Sequence, residues 1–496
     1  MKKTDVLNIL VLIALASFIF YPLFYSEYLY TDEAVQLWRY KKGSGVHMSI
    51  PGGRYITDIL SQWLFNNAYT IHDVIFIRLF SFLGWILCIP IWYFIIKKIE
   101  SQEKLPLFAF FSILYLICTP AFSISIGWAA CFELFIANTA GLISGYILYS
   151  SIRNKNGKIY ISPLAIAGTT LFGIISLFTY QNGFGCFFLP FLLYLISTPK
   201  NYRTIFIGVA ACLFIYVIYY FLFKLSLRIN NIGEISRAEI SVNVFPKVRF
   251  FFRPLATAFH FTYIFNEKSI TGFLVYVIVF FGWLIVDTYQ SPGLPFKNRL
   301  KLIALIILLL LLIYLPSLIV KENYFPNRTL LALDMGVFFL VMKTIFAIIK
   351  KFKIKFITVA VLSFFFVLNA WYNFHKQFLD PVRNEYKHVR AFIEKNYNSD
   401  IDTVYFIRPE EDFFVRKYHI ARSWDEFGAP STFRDWVPEF FMKQVVFEKT
   451  HSREIAEKLT INHWLGKQDF LHSNPHVSKN ILVVDVEEII DKKIDE

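Results

Sequence analysis

Two adjacent carboxylates, Asp32 and Glu33, follow the first apolar run and lie within the stretch YLYTDEAVQLWRY, residues 28–40. A carboxylate here can act as a general base that takes the proton from an attacking hydroxyl group. The same residues also fit the start of a helix EAVQLWRY, capped by Thr31 or Asp32 and with acid in its first turn. The two interpretations are compatible, because a residue that caps a helix has a fixed position.

Three basic residues are candidates for binding a phosphate group. Arg54 follows PGG, where glycines permit close approach of the backbone, and its guanidinium can hold a phosphate through two parallel hydrogen bonds. Arg328 lies in KENYFPNRT before an apolar run, together with Lys321. An arginine at a helix N-terminus gains nothing from the helix dipole, so a local anion would explain Arg328. The alternative for both arginines is contact with lipid headgroups.

Other polar residues, Tyr180, Gln181 and Glu133, lie in or at the ends of apolar runs. Gln181 can hydrogen-bond a sugar hydroxyl group, whereas Tyr180 also fits the aromatic belt of a membrane interface. Glu133 could pair with an arginine or ligate a metal, and a buried structural acid is the alternative. The sequence has no metal-binding spacing, so it leaves room for a divalent metal without indicating one, and no cofactor is predicted.

Long apolar runs must position these residues. The chain of 496 residues is 56% hydrophobic, above the apolar content of an average soluble domain. A run of roughly 20 apolar residues crosses the hydrocarbon core of a bilayer. We therefore predict an α-helical polytopic membrane protein with about eleven transmembrane helices. The runs are 6–25, 74–96, 105–122, 129–150, 162–179, 184–198, 204–223, 270–290, 302–320, 330–349 and 354–374.

The distribution of Lys and Arg between the loops predicts the orientation in the bilayer. Short loops rich in basic residues stay in the cytoplasm. The basic loops alternate with connections such as 119–128 and 180–185, which contain no Lys or Arg. This pattern places the N-terminus in the cytoplasm and the segment after the last run outside it. The excess of basic residues lies within residues 1–376, where this rule explains it, so it gives no argument for a nucleic-acid partner.

The composition changes after residue 376. Residues 1–376 form the predicted transmembrane domain, with long outer loops at 26–73 and 224–269 that contain amphipathic, aromatic-rich stretches typical of the bilayer interface.

Residues 377–496 are predicted to form a small extracytoplasmic α/β domain of unassigned role. Helical periodicity covers 383–397, and strand patterns cover 403–407 and 480–490.

The acidic pair in the first outer loop belongs to an ordered set of short motifs: TDEA, GGRYITDIL, SLFTYQ and NRT. This order resembles the GT-C superfamily of membrane glycosyltransferases, most closely the O-antigen glucosyltransferase group, which use polyprenyl-phosphate-linked sugars. The resemblance covers roughly residues 1–376 and implies a GT-C-like fold for them. It implies that Asp32 is the catalytic carboxylate, with Glu33 beside it, and that Arg54 and Arg328 hold the lipid phosphate. This sequence has Asp-Glu where that group is expected to have Asp-Asp.

Together these features predict an inverting glycosyltransferase in the bacterial cytoplasmic membrane. It would move a sugar from a polyprenyl-phosphate donor to a cell-surface glycan or glycolipid acceptor at the outer face. Two alternatives remain: a polysaccharide polymerase or ligase that uses lipid-diphosphate donors, and a lipid or solute transporter (flippase). Transporters place binding groups near the bilayer midplane, often between internal repeats, and we find no repeat. The predicted site residues are Asp32 and Glu33 for catalysis, Arg54, Arg328 and Lys321 for the donor phosphate, and Tyr180, Gln181 and Glu133 for the sugar or acceptor.

Overall fold

Helices make up most of the chain, because an apolar segment in lipid must satisfy its backbone hydrogen bonds internally. The computed structural model describes residues 2–41, 43–100, 107–155, 158–197, 202–233, 235, 239–241, 243–259, 296–352, 355–420 and 426–492. The α-helices before residue 260 are α1 (Lys3–Phe20), α2 (Asp32–Arg39), α3 (Tyr55–Phe65), α4 (Ile71–Glu100), α5 (Phe108–Cys118), α6 (Pro120–Gly127), α7 (Leu134–Ser151), α8 (Pro163–Thr179), α9 (Leu189–Ser197), α10 (Tyr202–Ile229) and α11 (Val244–Phe259). Those after residue 295 are α12 (Phe296–Ile313), α13 (Leu315–Ile319), α14 (Leu331–Phe352), α15 (Lys355–Tyr372), α16 (Asp380–Asn396), α17 (Phe413–Tyr418), α18 (Pro438–Thr450), α19 (Arg453–Lys458), α20 (Gly466–Ser473) and α21 (Val486–Asp491).

Several of these helices could cross a membrane. Within the described residues, four helical segments are long and apolar enough, and the bent pair α5–α6, with an angle of 52°, raises the number to five. The predicted count of eleven is therefore not confirmed, and the run 270–290 lies outside the described residues. The four segments are Lys3–Phe24, Ile71–Glu100, Ala129–Ser151 and Tyr202–Ile229.

Breaks in the helical backbone account for part of this difference. The run at 184–198 begins in a 3₁₀ segment, Gln181–Phe188, that continues into the short helix α9, and together they form a short apolar helix rather than a full span. The run at 302–320 breaks between α12 and α13 at Tyr314. Helix α8 has 17 residues, about 25 Å at the α-helical rise, which is short of the roughly 30 Å hydrocarbon core.

Glycines allow α7 to pack closely on the 3₁₀ segment Gln181–Phe188. A Cβ atom at Gly141 would lie 2.5 Å from the carbonyl oxygen of Gly183, and one at Gly145 would collide with the carbonyl of Phe187. Small residues that let backbones approach are typical of helix contacts within membranes. This contact fixes the position of Tyr180 and Gln181, at the start of the 3₁₀ segment, against α7.

Helix α11 corresponds to the amphipathic stretch predicted in the second outer loop. Phe245 and Phe252 are 81% and 64% exposed, as expected for an apolar face at a bilayer interface. Lys247 of this helix is buried rather than exposed at the headgroup surface. Its Nζ donates to the carbonyl of Glu322 at 3.0 Å and to Oδ1 of Asn323 at 2.7 Å, so this lysine fastens α11 to the segment before Arg328.

The C-terminal segment contains the predicted α/β unit. Three parallel strands, β3 (Thr403–Arg408), β4 (Thr460–Leu465) and β5 (Ile481–Asp485), form a sheet of order β4-β3-β5; the strands β1 (Arg153–Lys155) and β2 (Lys158–Tyr160) form a separate hairpin. The strand at 403–407 and the helix at 383–397 are confirmed. The strand predicted at 480–490 is shorter, because α21 begins at Val486. Strand β4 was missed because its sequence, TINHWL, lacks the regular apolar alternation of a strand.

The predicted domain boundary at residue 376 lies within continuous helical backbone. A π-helical turn, Asn373–Leu379, joins α15 directly to α16. The tail domain (residues 377–496) also contacts residues 26–73, which we call the first outer loop after their predicted position. Trp38 donates to Oε1 of Gln444 at 2.9 Å, and Gln444 donates to the carbonyl of Tyr69 at 3.1 Å. The tail domain and the first outer loop therefore pack together, and any site in this loop has the tail domain beside it.

Candidate active site

Helix α2 begins at Asp32, and the side chain of Thr31 does not cap it, in contrast to our expectation. The Oε2 of Glu33, in the first turn, instead accepts a hydrogen bond from the backbone N–H of Tyr30 at 2.7 Å, which ties the chain before the helix to its first turn. Thr31 has a φ angle of 42°, rare for a β-branched residue, and its buried hydroxyl has no hydrogen-bond partner among the described residues. Such backbone strain costs about 1–3 kcal/mol and clusters at functional sites. Here the strained residue, Thr31, directly precedes Asp32.

Glu33 is fully buried in an ion pair with Arg78 of α4. Arg78 donates to its carboxylate from Nη2 at 2.6 Å and from Nε at 3.3 Å, and the N–H of Ala129 donates at 2.6 Å. Arg78 also lies 3.5 Å from the ring centroid of Tyr28. Burial raises the pKa of the Glu33 carboxyl, and the charge of Arg78 opposes this shift. Since both oxygens of Glu33 already accept hydrogen bonds, its geometry fits a positioning residue for Asp32 better than a base.

Asp32 is half-buried and lies where the first outer loop meets the tail domain. The indole N–H of Trp436 donates to its Oδ1 at 2.8 Å, and Trp436 itself is 46% exposed. This hydrogen bond orients the carboxylate while the site stays open to solvent. Of the two acids, Asp32 is therefore the one that a hydroxyl group from solution can approach.

Arg54 is positioned by a turn that Gln181 holds together. Its guanidinium lies 4.3 Å from the ring centroid of Tyr180, which is buried, and its Nε donates to Oε1 of Gln181 at 3.4 Å. The Nε2 of Gln181 donates to the carbonyl of Gly52 at 2.6 Å and to the hydroxyl of Tyr219 at 2.9 Å. Tyr180 and Gln181, predicted to bind a sugar, thus both contact Arg54. Arg54 makes no ion pair with a carboxylate among the described residues.

Gly53 is required by this turn for two reasons. Its φ angle is +77°, and a Cβ atom would collide with the hydroxyl of Tyr219 and lie 3.0 Å from Nε2 of Gln181. We expect Gly53→Ala to lower the free energy of unfolding by about 1–3 kcal/mol and to displace the partners of Arg54. Thermal unfolding of the purified protein would measure this loss.

Gly43 offers a matched control for that substitution. Its φ angle is +81°, but nothing lies within 4 Å of the place where a Cβ atom would be. Gly43→Ala therefore carries the backbone strain alone, and we expect a smaller loss from it than from Gly53→Ala. Equal losses would mean that the contacts with Tyr219 and Gln181 do not constrain position 53.

Arg328 is held by Glu426 of the tail domain, which is buried. Its Nη1 donates to Oε1 of Glu426 at 2.9 Å, and its Nη2 donates to the hydroxyl of Tyr324 at 2.8 Å. The guanidinium lies 4.8 Å from the ring centroid of Trp128. The backbone N–H of Asn327 also donates to Glu426 at 2.7 Å. Arg328 is therefore oriented by an acid from the tail domain, which the sequence did not predict.

Glu133 is buried, with 1% of its surface exposed, and its Oε2 has no hydrogen-bond partner among the described residues. Arg54 and Arg328 both lie within electrostatic range of its carboxylate. Within the described ranges, however, neither arginine is close enough to form an ion pair with it. Arg54, Arg328 and Glu133, which we call the arginine–glutamate cluster, come from three separate parts of the chain.

Lys321 does not join this cluster. Its side chain is 72% exposed, and its Nζ lies 3.3 Å from Oε2 of Glu239. The surface ion pair and the high exposure place Lys321 in solvent, so the expectation that it binds the donor phosphate has no support in its surroundings.

Sequence reasoning missed Arg78, Trp436 and Glu426. A signal for Arg78 was present, because an arginine inside an apolar run is expensive in a membrane and usually has a buried partner. Trp436 and Glu426 lie in the tail domain, where nothing in the local pattern points to Asp32 or Arg328.

Within the parts of the chain that the structure describes, no group of three or more His, Cys, Asp or Glu residues could hold a metal ion. No protein-family model matches this chain, and no curated protein is significantly similar to it. Its function must therefore be argued from the site, since the same fold can serve many activities.

Proposed function

We propose that this protein is a membrane glycosyltransferase that moves a sugar from a polyprenyl-phosphate donor to a hydroxyl group of a cell-surface glycan or glycolipid. The apolar helices support a donor with a lipid tail, which would enter from the bilayer. The proposed location is the outer face of a bacterial cytoplasmic membrane, with the N-terminus in the cytoplasm and the tail domain outside. The partners are the lipid-linked donor, the acceptor and the bilayer, with no nucleic acid.

The observation that carries this proposal is the separation of charges in the arginine–glutamate cluster. Glu133 has a buried oxygen without a hydrogen-bond partner among the described residues, and Arg54 has no ion-paired carboxylate there. Buried polar groups are nearly always hydrogen-bonded, so this arrangement favours a ligand that contacts both. A sugar phosphate does so, because its phosphate accepts hydrogen bonds from an arginine and its hydroxyl groups donate to a carboxylate.

The chemistry follows from the position of Asp32. In the proposed mechanism, its carboxylate takes the proton of the acceptor hydroxyl as the oxygen attacks the anomeric carbon from the side opposite the phosphate. The new C–O bond forms while the bond to the phosphate breaks, and the phosphate leaves with the electron pair. The configuration at the anomeric carbon is inverted. Arg54, with Arg328 near it, stabilises the negative charge that develops on the leaving phosphate.

Glu33 and Glu426 serve this mechanism indirectly. Glu33 fixes the start of α2 through Arg78, and Glu426 orients Arg328. Both are buried and are proposed as positioning residues: Glu33 directly follows Asp32 in the chain, and Glu426 contacts Arg328.

A direct assay tests the proposal. The full-length protein in detergent or nanodiscs would receive a crude surface-glycan acceptor with radiolabelled polyprenyl-phosphate sugars or, in a parallel reaction, with radiolabelled lipid-diphosphate sugars. We expect transfer of the label to the acceptor with inverted anomeric configuration, determined by NMR of the product. Label transfer only from lipid-diphosphate donors would favour a polymerase or ligase. Solute or lipid flux without any transfer would favour a transporter.

Arg54→Gln and Lys321→Gln form a matched pair, because both remove a cation that the sequence assigned to the donor phosphate. We expect Arg54→Gln to reduce kcat/KM for the donor about tenfold to a hundredfold, since a charge-assisted hydrogen bond contributes about 1.5–3 kcal/mol. Lys321→Gln should leave kcat/KM within about twofold, because an exposed ion pair contributes little. The measurement is the initial rate against donor concentration.

The reverse outcome, with Lys321→Gln impaired and Arg54→Gln active, would contradict the assignment of Arg54. If both substitutions have equally small effects on kcat/KM, the hypothesis that the arginine–glutamate cluster binds the donor is contradicted.

A further inference from the structure

A cavity of about 160 Å³ lies between the first outer loop and the tail domain, apart from the arginine–glutamate cluster. Tyr40, Phe65, Asn66 and Tyr69 line it from the loop, and Arg453 lines it from the tail domain. Sites for drug-sized ligands measure about 300–1,000 Å³, so this cavity suits one small ring.

Two buried polar atoms of the lining residues have no hydrogen-bond partner within the described part of the chain. They are Oδ1 of Asn66, which is an acceptor, and Nε of Arg453, which is a donor. The Arg453 Nε lies 3.6 Å from Oε1 of Glu457, too far for a hydrogen bond. A ligand that satisfies both atoms must donate one hydrogen bond and accept another. Adjacent hydroxyl groups on a sugar ring do this, whereas a fully ionised anion has no proton to give to Asn66.

The charges around the cavity give it only a weak attraction for an anion. Lys41, which lines the cavity, forms an ion pair with Glu457 at its surface. The same Glu457 carboxylate lies beside Arg453. One acid thus offsets part of the positive charge of the two cations, which weakens the attraction of the cavity for an anion.

The remaining lining is aromatic. Tyr40 and Phe65 are buried, with their ring centroids 6.3 Å apart, while Tyr69 is 56% exposed. An apolar, aromatic wall with a small number of polar groups is typical of small-molecule sites. The exposed ring of Tyr69 gives a wall that a longer chain of sugars could contact from solution.

We propose that this cavity binds one uncharged sugar residue of the acceptor glycan. That the bound glycan is the acceptor rests on the proposed glycosyltransferase function, whereas the binding of a sugar does not. The tail domain contributes Arg453 to the cavity and Trp436 to Asp32, so a glycan held here lies along the same interface as the proposed base. This gives the tail domain a role in acceptor recognition.

Binding would be measured on the full-length protein in nanodiscs, without any lipid-phosphate donor. The probes are methyl glycosides of glucose, galactose, mannose and N-acetylglucosamine, followed by saturation-transfer NMR, with inorganic phosphate as the contrasting probe. We expect at least one methyl glycoside to bind and phosphate not to displace it. Asn66→Ala should weaken that binding about tenfold, and Tyr69→Ala should weaken it as well.

Asn67→Ala is the matched control, because Asn67 is exposed and its side chain donates to the carbonyl of Trp63 rather than lining the cavity. Equal binding by the Asn66→Ala and Asn67→Ala variants would overturn the proposal, as would phosphate binding without methyl glycoside binding. Sugar binding that depends on Asn66, in a protein with no transferase activity, would support the cavity as a sugar-binding site and contradict the proposed glycosyltransferase function. If the protein transfers sugar and Asn66→Ala leaves the KM for the acceptor unchanged, the glycosyltransferase function is supported and the proposal that the cavity binds the acceptor is overturned.

Discussion

Asp32→Asn is expected to reduce sugar transfer by about 10²- to 10⁴-fold while the protein stays folded, because an amide cannot take the proton of the acceptor hydroxyl. The substitution keeps the size of the side chain, and an amide oxygen can still accept the 2.8 Å hydrogen bond from Trp436. The loss should fall on kcat rather than on the KM for the donor, since Asp32 is proposed to act on the acceptor. The measurement is the initial rate of label transfer with both substrates varied.

Glu27→Gln is the matched control in the same outer loop. Glu27 is a half-exposed carboxylate that pairs with Arg390 at 3.2 Å and has no assigned role in transfer. We expect this variant to retain activity within about twofold, as an exposed ion pair contributes little. Trp436→Phe should have an intermediate effect, because it removes only the hydrogen bond that orients Asp32. Full transfer by Asp32→Asn would rule out Asp32 as the base.

Arg78→Met is expected to lower the free energy of unfolding by about 3–5 kcal/mol, because it leaves the buried carboxylate of Glu33 without its charged partner. Glu33→Gln should cause a comparable loss, because it leaves the buried guanidinium of Arg78 without its charged partner. Both residues are fully buried, so solvent does not screen the unpaired charge. Thermal unfolding of the purified protein in detergent would show this as a lower Tm.

The exposed pair between Arg390 and Glu27 is again the comparison, and Arg390→Gln should cost no more than about 1 kcal/mol. The double variant Glu33→Met with Arg78→Met should regain part of the stability, since replacing both ions with apolar residues removes the unpaired charge. A Glu33→Gln protein that is stable but inactive would contradict the structural role and make Glu33 the base instead of Asp32.

Local patterns in the sequence predicted several of the elements that carry the candidate residues. The acidic pair marked the start of α2, which begins at Asp32, and PGG marked the turn that precedes Arg54. The apolar runs predicted helices, and TVYFI predicted the central strand of the tail domain. These features depend on residues within a few positions of one another, so hydrophobic periodicity and turn chemistry report them directly.

The number of membrane-spanning helices could not be settled in this way. Composition measures how apolar a segment is, but a break such as the one at Tyr314 or the 3₁₀ segment Gln181–Phe188 depends on what packs against the backbone. The close contacts at Gly141 and Gly145 likewise cannot be read from local sequence, because a neighbouring segment determines them.

The sequence by itself determined where the acids and arginines lie along the chain and which local element carries each of them. Only the tertiary structure decided their surroundings: it buried Glu33 with Arg78, 45 positions away, and brought Trp436 to Asp32 across 404 positions. The physical reason is that the energy of a charge depends on its partner and on its exposure to water. Both are products of packing between distant segments, so two adjacent carboxylates that look equivalent in the sequence acquire different chemistry in the folded protein.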